Sequence, residues 1–382
     1  MVSTAKPRVS MRLDGRLSSP PIAESQFERY SEAYRDAIRT LTRSSPSIAD
    51  LVVTFPGLLF ALASGFGTAG MRERCVACVK AGGSLRQAAE HMQLPLWLRR
   101  LPAEAFGAPL SNLPDNSDFN RRIINHVPSE PWKAGGWLDR VLLARELVDN
   151  DFALWMAWRS KAMPKFRDTK RLVLLGAWAW FSHRPESFGA SLLRQPFDAT
   201  VGMRKAIDEA DIWKRRIDLA VTLGDGISDT WFQPGSAHGY DFVPLASLED
   251  FVAEGQRMDN CLDQFAPQVQ QRNTRIFSVR KDGRPVADLE IAPHAVDPML
   301  PAIEQLRGPG NRSPGIGVWQ AAYAWLSTQS TRQLRASRAH PGASRLVARR
   351  IWEPMMASLA GGRGEQVLRT FLSSGEVLDP DL

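Results

Sequence analysis

The first half of the chain is dominated by apolar residues spaced three or four apart. From Glu24 to Arg43 the opposite positions are charged, which is typical of an amphipathic helix packed on one side. Similar spacing predicts helices over Gly136–Met163, Asp168–His183 and Ala199–Leu223, and Pro and Gly clusters separate them. The pattern therefore predicts a helical bundle or an irregular array of helices.

The periodicity changes beyond Gly224–Tyr240, a Gly-, Ser- and Asp-rich stretch that we interpret as a domain boundary. Short β-type runs follow, and an Asp282-Gly283 pair between the first two favours a tight hairpin. The predicted strands are Thr274–Arg280, Pro285–Ile291 and Pro301–Leu306, and the predicted flanking helices are Ser247–Phe265 and Val318–Thr328. The expected fold of this part is a helix–β-meander–helix module.

These patterns predict a mainly α protein with a small α+β module. We expect a flexible tail over 1–22, a helical domain over 23–235, the module over 240–330 and a basic helical segment over 331–382. The longest apolar stretch, Leu51–Phe66, contains Pro56 and is shorter than the roughly 20 residues of a membrane-spanning helix. No membrane segment and a cytoplasmic location are expected.

Composition adds a preference for acidic partners. The 382 residues include 44% hydrophobic and 23% charged residues, which is ordinary for a globular protein, and the net charge is +7. A basic protein favours nucleic acid or another anionic surface. There are three cysteines, and Cys75 and Cys78 lack the further ligands of a zinc site. We therefore predict packing for this pair, with no metal and no cofactor.

A polar group in the module is the strongest local signal. In a helix, Glu254, Met258, Cys261 and Phe265 would share one face that looks toward the sheet. A carboxylate on such a face needs a partner, and Arg280 and Arg307 are the best placed cations. The candidate pocket residues are Glu254, Asn260, Cys261, Arg280, Gln305, Arg307 and Asn311.

Two members of this group leave alternatives open. The Gly-rich turn from Gln305 to Asn311 could hold an anion with its backbone N–H groups or be a structural turn, and it lacks the spacing and Lys of a P-loop. Cys261 could be a nucleophile, but an acidic neighbour raises the pKa of a thiol. We favour a packing role for Cys261.

The same residues carry a resemblance to a known family. Glu254-Gly255 followed by Asn260-Cys261, a hairpin ending in Arg280, and the segment Gln305–Asn311 resemble the PcfJ-like family of conjugative-plasmid-associated proteins. The resemblance covers roughly residues 240–330. It implies an association with plasmid transfer or other mobile elements, and partners in a transfer or defence complex. It implies no particular reaction.

Other features bear on nucleic acid. Residues 311–352 contain no acidic residue, and arginine suits phosphate recognition because its planar guanidinium binds oxygens in pairs. The predicted nucleic-acid-binding residues are Arg332, Arg335, Arg338, Arg345, Arg349 and Arg350. Residues 83–101 resemble a helix–turn–helix, but we interpret them as two packed helices. We predict a core role for the tryptophans of the helical region, Trp97, Trp137, Trp155, Trp158, Trp178 and Trp180.

Three hypotheses result. The leading one is an accessory protein that binds nucleic acid through the C-terminal arginine face. The alternative is an enzyme whose polar side chains converge in one pocket of the α+β module. The third is a protein-interaction scaffold built by the helices.

Overall fold

The computed structural model describes most of the chain. The described residues are 22–111, 113–114, 116–128, 130–162, 169–260, 262, 265, 269, 274–330, 334 and 341–373. The predicted fold class is confirmed, because helices and a single five-stranded antiparallel sheet make up this part of the chain. The predicted flexible tail lies outside the described residues except for Ile22. No helix in these ranges is long and apolar enough to cross a membrane.

The secondary-structure elements of the described chain before residue 224 are helices. They are α1 (Glu24–Glu28), α2 (Glu32–Arg43), α3 (Pro46–Ala49), α4 (Leu51–Thr54), α5 (Pro56–Ala63), α6 (Ala69–Lys80), α7 (Leu85–His91), α8 (Ser117–Ile123), α9 (Pro131–Leu147), α10 (Asn150–Ala162), α11 (Thr169–Ser182), α12 (Phe188–Ser191) and α13 (Met203–Leu223). The helix predicted over Gly136–Met163 is two helices, because the Asp149 carboxylate accepts a hydrogen bond from the Phe152 N–H and starts α10 anew. Residues 83–101 contain α7 and a 3₁₀ turn at Leu96–Arg100.

The rest of the chain forms the sheet and its covering helices. Its elements are β1 (Gly235–Ala237), β2 (Tyr240–Pro244), α14 (Leu248–Met258), β3 (Arg275–Lys281), β4 (Arg284–Pro293), β5 (Pro301–Arg307), a 3₁₀ turn (Pro309–Asn311), α15 (Ile316–Ser327), α16 (Pro341–Ser358) and α17 (Arg363–Ser373). The predicted boundary at Gly224–Tyr240 contains β1 and the turn of a β-hairpin. His238 and Gly239, which both have positive φ, form the tight turn between β1 and β2.

The described residues divide into two compact units. One comprises those of Met1–Arg145 and Met156–Phe166, and the other those of Glu146–Trp155 and Arg167–Leu382. In the second unit Leu219 and Leu223 of α13 pack against Leu245 and Phe251 of the sheet region. The last helix before the predicted boundary therefore shares a core with the α+β module.

Five of the six tryptophans predicted to be buried are buried: Trp97, Trp137, Trp155, Trp178 and Trp180. In the first unit, for example, the Trp137 indole N–H donates to the Ala157 carbonyl. The prediction is wrong for Trp158, which is 48% exposed. The Arg159 guanidinium lies over the Trp158 ring. Trp158 therefore makes a cation–π contact at the surface and does not pack in the core.

The cysteine pair of the first unit lies on α6. Cys75 is buried and Cys78 is half-buried, and both are free thiols. Burial raises the pKa of the Cys75 thiol to about 12, with a smaller contribution from Cys78. Cys75 is therefore a neutral thiol at physiological pH, as a packing residue should be.

The five strands pair in sequence order, β1-β2-β3-β4-β5. Asp282 and Gly283, both with positive φ, form the β3–β4 turn that the sequence predicts. The pairing register shifts at Val279/Arg280 and again at Glu290/Ile291, so the pairings of β4 with both its neighbours carry an irregularity. Such bulges bend the sheet locally and re-aim side chains.

The two faces of the sheet have different coverings. One face packs Phe242, Phe277 and Leu289 against Trp325 of α15. The other is covered by α14, whose start has a reciprocal pair of hydrogen bonds between Ser247 and Asp250. The helix predicted to run to Phe265 ends at Met258, because Asp259 adopts the left-handed conformation that stops an α-helix.

Candidate functional site

The site begins with the alternation of side chains along the three longest strands. Ser278 of β3 lies opposite Asp288 of β4, which in turn lies opposite Arg307 of β5. Glu290 lies between Ile276 and Gln305 in the neighbouring row. Because directly paired residues project to the same side of a sheet, these rows make one face polar. This is the face that α14 covers.

Glu254 enters this face from α14 and is only 1% exposed, so its predicted burial is confirmed. Its carboxylate accepts a hydrogen bond from the Ser278 hydroxyl. Arg280 donates from Nε to the same hydroxyl at 3.1 Å, and its Nη2 lies 3.9 Å from Glu254 Oε2. The predicted partnership of Glu254 with Arg280 is therefore present, and Ser278 mediates its shortest contacts.

Asp288 lies beside Glu254 and is 6% exposed. The Asn260 side-chain amide donates to Oδ2 of Asp288, whereas Oδ1 has no hydrogen-bond donor within the described residues. Burial raises the pKa of Asp288 to about 7, and the negative charge of Glu254 adds to the effect. Near neutral pH the protonated and ionised forms of the Asp288 carboxyl are therefore both populated.

A pocket with a volume of about 50 Å³ opens beside Asp288. Leu262, Phe265 and Ile276 form its apolar wall. Its polar lining residues are Asn260, Asp288, Glu290, Gln305, Arg307 and Asn311. The pocket is thus built from Asn260, Leu262 and Phe265 after α14, from β3 to β5 and from the 3₁₀ turn.

The sequence-predicted residues divide between the floor and the rim of this pocket. Glu254 and Arg280 lie behind Asp288, and Asn260 contacts it directly. Gln305, Arg307 and Asn311 are exposed residues of the lining. Arg307 does not pair with Glu254, and its side chain makes no hydrogen bond or ion pair among the described residues. Cys261 lies outside the described residues.

Sequence reasoning missed Asp288 and Glu290, which line the pocket, and Ser278, which donates to Glu254. A signal for two of them is present in the run Ala287-Asp-Leu-Glu-Ile291, where carboxylates alternate with apolar residues in a central strand. Because α14 covers the polar positions as well, both carboxylates are buried. No three acidic, His or Cys residues among those described come together in a metal-binding arrangement.

The arginine-rich segment is described only in part. Arg332, Arg335 and Arg338 lie outside the described residues. On α16, Arg345 is exposed, and Arg349 forms a two-pronged ion pair with Glu353 at 3.0 and 3.2 Å. The Arg350 guanidinium lies 4.5 Å from the centre of the Phe188 ring. Within α16, then, Arg349 and Arg350 already have partners.

Comparison with family models, with curated proteins and with solved structures finds no match for this chain. The resemblance to the PcfJ-like family stays a prediction that depends on the residues quoted for it.

Proposed function

We propose that the α+β module is a ligand-binding module, and that the pocket beside Asp288 is its binding site. The observation that carries the proposal is Asp288 itself. A carboxylate that is only 6% exposed and has an oxygen without a donor is costly for a folded protein. A ligand in the pocket that hydrogen-bonds to the Asp288 carboxyl would offset that cost.

This site has the groups needed for acid–base chemistry. With a pKa of about 7, Asp288 can either donate or accept a proton at physiological pH. Ser278 and Arg280 contact the Glu254 carboxylate, whereas Asp288 lines the pocket, so Asp288 is the member of the carboxyl pair that can exchange a proton with a ligand there. The proposal therefore includes the enzyme hypothesis, with Asp288 as the acid–base group.

A screen of small polar metabolites by ligand-observed NMR would test the binding site. We expect compounds that bind the unmodified chain to lose binding in Asp288→Asn and Asn260→Ala. Asp241→Asn is the matched control, because Asp241 is an exposed carboxylate on β2 of the same sheet and should leave binding unchanged. Hits that bind equally well to Asp288→Asn, or no hits at all, would contradict the proposal.

A second candidate function is nucleic-acid association through the basic C-terminal region. It is favoured by Arg345, which is exposed on α16, and by the acid-free sequence before Glu353. In this proposal the chain would be an accessory protein of plasmid transfer or mobile elements, as the PcfJ-like resemblance implies.

The salt dependence of binding would test this second candidate. We expect binding to duplex or single-stranded DNA that weakens steeply with salt, because phosphate contacts release counterions. Changing Arg345 to Gln should reduce the slope by roughly one contact, whereas Arg86→Gln, an exposed arginine of α7, should not change it. Absence of binding at low salt would exclude nucleic acid as a partner.

A further inference from the structure

The chemistry of the pocket floor indicates what it would bind, provided that the pocket is a binding site as proposed above. The floor is rich in hydrogen-bond acceptors. Asp288 Oδ1 faces no donor in the described part of the chain, and its Oδ2 is occupied by Asn260. Glu290, 4% exposed, adds a second carboxylate that has interactions of its own. A ligand reaching this floor must bring donors.

The charges around Asp288 indicate that the hydrogen-bond donor of the ligand should carry a positive charge. Glu254 faces it from α14, Glu290 follows it on β4, and Arg307 is its neighbour on β5. Arg280 on β3 is directed to Glu254 and Ser278. Arg307 is exposed at the rim, and Arg257 and Asp259 of the α14 end are exposed to solvent. No described cation therefore contacts Asp288, and an ionised carboxylate buried in this way needs one.

The size of the pocket limits the ligand. A volume of about 50 Å³ holds roughly three to five water molecules, so only a group of a few non-hydrogen atoms can enter. A guanidinium or an alkylammonium group has this size, whereas a sugar ring or a nucleobase does not fit as a whole. The remainder of a larger ligand would cross the rim near Asn311 and lie against Phe265.

We propose that the pocket binds a cationic group, a guanidinium or primary ammonium at the end of a longer ligand, with Asp288 as its counter-ion. The planar guanidinium is the better match, because its fork of N–H donors suits a carboxylate acceptor such as Asp288. Gln305, which lies opposite Glu290, adds an amide at the rim.

Such binding is linked to pH. The cation binds ionised Asp288 and displaces its proton, so affinity rises with pH until the carboxyl is fully ionised. With a pKa of about 7, affinity at pH 8 should be about tenfold higher than at pH 6. An uncharged ligand that accepts a hydrogen bond from protonated Asp288 would show the opposite dependence.

Titration of the full-length chain with methylguanidinium would test the proposal, with methylammonium as a second cation, urea as a neutral analogue and inorganic phosphate as an anion. Chemical shifts in β4 and β5 would report binding at the site. We expect saturable binding of methylguanidinium, about tenfold tighter at pH 8 than at pH 6, and no binding of urea. Asp288→Asn should weaken it more than tenfold, whereas Glu304→Gln, which removes an exposed carboxylate from β5, should not.

The outcomes distinguish failure of the cation proposal from failure of the proposed binding site. If phosphate binds and Arg307→Gln abolishes that binding while both cations fail, the cation proposal is wrong but the binding site remains. The same holds if metabolite hits that depend on Asp288 are all neutral or anionic. If neither the probes nor the metabolites respond to Asp288→Asn, both proposals fail.

Discussion

The two faces of the five-stranded sheet are made by the same strands yet differ in what they bury. Beneath α15, Trp325 stacks on Phe242 with ring centres 4.6 Å apart and packs against Phe277 at 4.8 Å. Beneath α14, the corresponding positions are Ser278 and Asp288, which are also buried. Apolar burial stabilises a fold, whereas buried carboxylates cost stability unless something offsets them. The apolar face therefore stabilises the fold, whereas burial of the polar face costs stability.

The largest effect should come from breaking the apolar face. Trp325→Ala removes a ring that is 1% exposed and contacts Phe232, Phe242 and Phe277. We expect the free energy of unfolding to fall by about 3–5 kcal/mol, measured by urea denaturation. Tyr323→Ala, an exposed aromatic of the same helix, should change it by less than about 0.5 kcal/mol. Similar losses in both variants would show that α15 does not anchor this face.

On the polar face, Asp288 should make stability depend on pH. Its pKa is raised from 3.8 to about 7, so the folded state holds a proton that the unfolded state has lost. This stabilising contribution is complete below pH 3.8 and is lost as the pH rises to about 7. Relative to Asp288→Asn, the unmodified chain should lose about 2–3 kcal/mol of unfolding free energy between pH 5 and pH 8. Parallel pH profiles for the two proteins would show that Asp288 titrates normally.

Removing Glu254 tests whether the buried network is structural. Glu254→Ala deletes the acceptor of Ser278 and the ion-pair partner of Arg280, and we expect a loss of about 2 kcal/mol. Water can reach Arg280, whose side chain is 29% exposed, so the loss should stay below that of a fully buried pair. Glu254→Gln should cost less and lower the pKa of Asp288, because it removes the neighbouring charge.

Gln256→Ala, an exposed position of the same helix, is the control for that experiment and should be close to neutral. Denaturation of the three variants, with an infrared or NMR titration of Asp288, would measure both effects. An unchanged Asp288 pKa in Glu254→Gln would mean that burial alone raises it.

The smallest effect should come from the turn that joins β3 to β4. Gly283 has φ of +73°, and no heavy atom lies within 4 Å of the point that an alanine Cβ would occupy. Gly283→Ala therefore meets backbone strain but no steric clash. We expect a loss of about 1 kcal/mol, and about half of that for Gly283→Asn, because Asn tolerates positive φ. Cross-strand contacts between Ser278 and Asp288, followed by NMR, should persist. Their loss would mean that the turn, and not the packing of the two faces, sets the register.

Parts of this arrangement were predictable from sequence because local rules act on them. The Asp282-Gly283 turn, the alternating strands and the inward position of Glu254 follow from turn chemistry and periodicity. The end of α14 did not follow, because Asp259 reverses the backbone where the apolar spacing continues to Phe265. Strand β1 was missed because its Gly-Ser-Ala sequence has the composition of a linker, and β2 was missed because it is only five residues long and ends in Pro244.

The sequence by itself determined the helical character of the chain, the β-meander and the inward-facing Glu254, since periodicity and turn residues act within a few positions. Only the tertiary structure decided that Asp288 would meet Glu254 and Asn260, which lie 34 and 28 positions away along the chain. Strand register and the packing of α14 on the sheet bring these groups together, and burial then raises the pKa of Asp288. Pairing between strands that are distant in sequence buries Asp288 and so sets its local dielectric, and no local sequence pattern encodes that pairing.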